Sequence, residues 1–153
     1  MGTAGRATGA GRSHSTLLRL GLSALALQAA VLGVPAAVTP HWFFTWFPFG
    51  RGWVAAGGAY SPHMVADLGF LYLGLGTVLV WAAVVPTAQL VRAAATGSVL
   101  ANLLHLVFHV RHTGDLPAGD AVAEIALLLA VVLIGIAVLI LAYRPGRVSV
   151  TGP

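Results

Sequence analysis

The sequence predicts an all-α fold, a four-helix transmembrane bundle with an aromatic-rich interfacial loop between its first and second helices. Composition is the first reason: of 153 residues 58% are hydrophobic and 8% charged, and the mean hydropathy is +0.91. A water-soluble domain carries about 25% charged residues. The second reason is four apolar runs, roughly 20–38, 64–85, 88–110 and 121–143. Each approximates the ~20 residues that a helix needs to cross a hydrocarbon core of ~30 Å. The third is where the ionisable residues fall. Those inside or beside the runs gather at run ends, as the cost of charge in lipid requires.

Residues 1–16 are rich in Gly, Ala, Ser and Thr and are expected to be a disordered cytoplasmic tail, with 17–143 the membrane domain and 144–153 a second cytoplasmic tail. Arg19 and the stretch Val34-Pro35-Ala36-Ala37 also resemble a secretory signal. Retention of the first run is expected, because cleavage would leave three spans and part the termini. Between the first two runs lie eight of the thirteen aromatic residues. Trp and Tyr favour the membrane–water boundary, so this segment is expected to lie at the interface. Trp42, Trp46, Trp53 and Tyr60 are the candidates for a lid. Ser61 and Pro62 suit the start of the second helix, as N-cap and first-turn residues. Pro86 and Thr87 turn the chain into the third helix, and Thr113-Gly114 and the residues up to Gly119 turn it into the fourth. Such short connections make neighbours antiparallel.

Charge supports a topology rather than a nucleic-acid function. The chain has no lysine, and its net charge of +4 comes from eight scattered arginines. Arg6, Arg12, Arg19, Arg92, Arg144 and Arg147 fall on one side of the predicted bundle, Arg51 and Arg111 on the other. By the positive-inside rule both termini are cytoplasmic. Arginine in place of lysine, with abundant Ala and Gly, suggests a GC-rich bacterial genome, so the expected location is a bacterial plasma membrane. The absence of cysteine removes disulfides, thiolate metal sites and thiol redox chemistry, and the absence of lysine removes Schiff-base chemistry.

Helix packing is expected along Ala93, Gly97 and Ala101 of the third helix, a small-xxx-small pattern, and at Gly74 of the second. Near the outer membrane face the topology gathers His63 and Asp67 from the second helix. The third supplies His105, His109 and His112, and the fourth Asp120 and Glu124. The i, i+4 spacing of His105 and His109 allows two imidazoles to bind one metal. Imidazole with carboxylate suits a divalent transition metal; haem fits less well, because the other histidines lie too near the surface to partner His105. A small polar ligand, or the handling of a proton, a quinone or a lipid head-group, is also compatible. Against these stands a structural rim, since acids at helix N-termini and histidines at C-termini each complement the helix dipole by ~0.3–1 kcal/mol. His105, about seven residues inside its helix end, is least well explained by a rim. Three function classes remain open: a metal- or ligand-binding membrane protein, a structural subunit of a membrane complex, and an oxidoreductase or hydrolase acting on a lipid or quinone. Expected partners are the bilayer and a membrane protein or second copy of the chain.

Three motifs carry a family resemblance. They are Phe47-Pro48 followed by Gly50-Arg51-Gly52-Trp53-Val54, then Tyr60-Ser61-Pro62-His63 with Asp67-Leu68-Gly69, and His105-Leu106-Val107-Phe108-His109 with His112. Over Trp42–Leu141 the chain resembles small four-helix actinobacterial membrane proteins, DoxX-like in layout. The family pattern has Asn after the tyrosine where this chain has Ser61. The resemblance implies the helix layout and assigns no activity.

Overall fold

A computed structural model describes residues 4–144. Among them are six helices and no strand: α1 (Ala4–Val38), α2 (Pro40–Trp46), α3 (Trp53–Ala56), α4 (Pro62–Val84), α5 (Ala88–Arg111) and α6 (Ala118–Tyr143). Four segments are long and apolar enough to cross a membrane: His14–Val38, Pro62–Val84, Ala88–Arg111 and Ala118–Tyr143. The four-helix fold class agrees with the sequence reading, and the bounds of α4, α5 and α6 lie within a few residues of the runs read from it, whereas α1 begins well before the first run. Thr87 caps α5, its side chain accepting from Leu90 N at 3.3 Å. Ser61 occupies the N-cap of α4 without a side-chain capping bond, and Pro62 opens that helix.

Helix α1 begins before the first apolar run. The first helix is continuous from Ala4, so the N-terminal segment is helical wherever it is described. No proline interrupts it before Pro35, and a helix already formed by the apolar run extends at one hydrogen bond per added residue. The expected C-terminal tail lies outside the described residues, apart from Arg144.

Packing is pairwise. Helix α1 lies along α4, and α5 along α6, with fewer contacts between the pairs. The main core is at the end where α1 and α5 enter and α4 and α6 finish, where Leu22, Leu25, Leu79, Val91, Ala95 and Val138 are buried. The predicted packing stripe is corrected here. Ala93, Gly97 and Ala101 are exposed, and a Cβ added to Gly97 or Gly74 meets nothing within 4 Å. The buried face of α5 runs instead through Val91, Ala94, Ala95, Ser98 and Asn102. Two neighbouring stripes carry small residues, and spacing alone does not choose between them. Ser98 and Asn102 decide it, because a polar side chain facing lipid costs more than an unused alanine. The close helix approaches use other glycines. A Cβ on Gly33 would lie 3.1 Å from Gly69 O, and one on Gly135 would lie 2.7 Å from Val99 Cγ2.

The two pairs are built on the same plan. In each, an arginine of the first helix donates to the carbonyl of the penultimate residue of the second: Arg19 Nη1 to Ala83 O at 3.0 Å, and Arg92 Nη2 to Ala142 O at 3.0 Å. This places a cation on unsatisfied C-terminal carbonyls. Seven residues before each alanine comes a packing glycine, Gly76 or Gly135. Gly135 faces Val99, seven residues after Arg92; Gly76 lies against Ala29, with the carbonyl of Ala26, seven residues after Arg19, next nearest at 3.8 Å. Helices α1 and α4 thus form one hairpin and α5 and α6 a second, matched in register.

Candidate functional site

The side chains expected to form one cluster divide into three groups, with His112 apart from them. Asp120, buried in the first turn of α6, accepts from Trp53 Nε1 at 3.0 Å and from Arg51 Nε on the same oxygen, Oδ1. The carboxylate in turn holds the Arg51 guanidinium above its ordinary pKa through this hydrogen bond and its charge. One turn further along α6, Glu124 Oε1 lies 3.1 Å from His109 Nδ1. The His109 ring packs on that of His105, centroids 4.5 Å apart. His63 and Asp67 make a separate pair on α4, 3.3 Å apart and mostly exposed. His112 is exposed and stacks on Phe108. Among the described residues no three His, Asp or Glu side chains form a group that could hold a metal ion.

Local sequence explains the placements. His109 and Glu124 meet because α5 and α6 are antiparallel neighbours in the register that also joins Val99 to Gly135 and Arg92 to Ala142. Ser98, Asn102, His105, His109 and His112 recur at alternating spacings of four and three, which keeps them on one helix face. Exposure falls along that face. His112 is exposed, His105 and His109 are half-buried, and Asn102 and Ser98 are buried. The Asn102 amide nitrogen donates to Ser98 O at 2.8 Å, leaving Oδ1 buried without a partner. Glu124 Oε2 is likewise buried and unpartnered, on a residue only 8% exposed.

The first hairpin supplies an internal comparison. At positions matching Ser98, Asn102, His105 and His109 it carries Leu25, Ala29, Leu32 and Ala36; opposite, Val65 stands where the second hairpin has Glu124. Ala36 and Val65 belong to one apolar cluster with Phe43. The same hairpin therefore closes with aliphatic residues at every one of these positions.

Of the candidate lid residues, Trp53 reaches the site through Asp120. Tyr60 packs against His41 and Phe44 instead, and Trp42 and Trp46 are exposed. The loop is mainly a set of boundary aromatics with one strap, Arg51 to Trp53, fastened to α6. Arg51 was the partner that sequence reasoning missed. Its one signal is that it is the sole cation in the aromatic segment between the first two spans. Comparison with protein-family models, with curated proteins and with solved structures finds no match.

Proposed function

We propose that this multi-pass membrane protein carries, between α5 and α6, a binding site for a small polar ligand. Glu124, His109 and His105 are its core. The observation that supports it is the matched hairpin: polar residues fill a buried seam that its counterpart fills with aliphatic ones, so holding the hairpin together does not call for them. Buried polar groups in membrane segments are expensive and mark function, and Glu124 keeps one acceptor oxygen available. The six-to-two arginine asymmetry supports cytoplasmic termini by the positive-inside rule, and with them a seam that opens at the outer face. The strap from Arg51 and Trp53 sits one helical turn above Glu124.

The test is to rewrite the pair with the first hairpin's residues. His109→Ala together with Glu124→Val should leave thermal stability in detergent unchanged or raised, because replacing a buried ionisable pair by apolar side chains is often neutral or stabilising. A clear loss of stability in the double variant would mean that the pair holds the bundle together, and the binding-site reading would fall.

A further inference from the structure

We propose that the ligand of this site is a proton, held by the Glu124–His109 pair and exchanged with water at the His112 end of α5. The proposal rests on the site reading above and names its ligand. It follows from how the four acidic residues are neutralised. Asp120 has Arg51 and Trp53, Asp67 has His63, and Asp115 is exposed to solvent. Glu124 alone is buried with no arginine, and its partner is an imidazole. An ionised carboxylate beside a neutral imidazole would leave one uncompensated charge in an apolar helix interface, which is costly. One proton removes that charge wherever it resides. On Glu124 it gives a carboxylic acid beside neutral His109; on His109 it gives an imidazolium beside a carboxylate. Uptake is balanced simply: a hydronium ion gives its proton to the pair and becomes water, and no other bond changes.

The surrounding groups fit a proton better than a larger ligand. On α5 the neighbours of His109 are His105, one turn deeper, and His112, one turn nearer water. On α6 the other ionisable groups are Asp120, already engaged, and Tyr143, at the far end of the helix under Arg92. Helix α1 has no ionisable side chain between Arg19 and its end at Val38. Helix α4 offers the His63–Asp67 pair and Tyr72, which is hydrogen-bonded to Gln28. Among the described residues no arginine, Arg111 of α5 included, makes an ion pair with Glu124. A proton also needs no cavity, only polar atoms at successive turns, which Asn102, His105 and His109 provide.

Infrared spectroscopy of the full chain in lipid vesicles, in water and in deuterium oxide, tests this. At neutral pH the wild type should show either a carboxylic-acid carbonyl band that Glu124→Gln abolishes or imidazolium bands that His109→Ala abolishes. The band should shift on transfer to deuterium oxide, showing exchange with water. A wild type with neither band, or with one that does not exchange, overturns the proposal. Should the double variant above keep its stability while this result is negative, the site would hold a different small polar ligand. Should the double variant unfold, the site reading itself would be lost.

Discussion

Glu124 and His109 form a pair in which each side chain depends on the other. Removing one leaves a buried polar group unsatisfied, at a cost of about 1–3 kcal/mol. His109→Ala alone should therefore lower stability by about that amount, which adding Glu124→Val should recover; thermal melts of the three variants in detergent measure it. Asp120 behaves differently because two donors converge on it. Asp120→Asn should weaken both bonds to the strap and release Trp53, shifting its fluorescence, whereas Asp115→Asn, at an exposed position, should change nothing. Much of this was legible at the level of residue type: histidines and acids near span ends stood out, and the offset of His105 from His109 proved to bring their rings together. The pairing was not legible. His105 packs on His109, and it is His109 that takes Glu124. Choosing between them needs the α5–α6 register to within one turn, which hydrophobic runs do not fix.

At the scale of elements, the helix ends were readable because Pro62, Thr87 and the Gly114 region interrupt apolar runs. The packing face was not, since α5 offers adjacent stripes of small residues and only the burial of Ser98 and Asn102 selects one. The corrected face gives a sharp contrast. Gly135→Leu should disrupt the second hairpin, because even a Cβ there crowds Val99; overpacking of this kind typically costs about 1–3 kcal/mol. Gly97→Leu should be tolerated by a single chain, because nothing faces it. Melting temperatures of the two variants in detergent decide the matter. Similar losses in both would show that α5 buries the other face. The arginine fastenings follow the same logic: Arg92→Leu should loosen the end of α6 by freeing the Ala142 carbonyl and removing the guanidinium from the Tyr143 ring, 4.4 Å away.

For the whole molecule, composition together with the four apolar runs pointed to a helical membrane bundle, and the four long apolar helices agree with it. What remained hidden was the division into two matched hairpins. Arg19 and Arg92 carry almost no shared sequence around them, and the match emerges only when Ala83, Ala142, Gly76 and Gly135 are seen at equal spacings in space. That division gives the polar seam its meaning. One hairpin is an aliphatic clasp, and the other is the same clasp with a file of polar groups open at one end. The chain's lack of cysteine makes this directly measurable. Single cysteines at positions 112, 109, 105 and 102, and at the lipid-facing positions 104 and 107, can be challenged with a membrane-impermeant thiol reagent in intact vesicles. Reactivity should be highest at 112, decline through 109 and 105 to 102, and be absent at 104 and 107, with labelling only from the side opposite the termini. Equal protection at 105, 109 and 104, or labelling from the side of the termini, would contradict a polar seam open to water at the outer face.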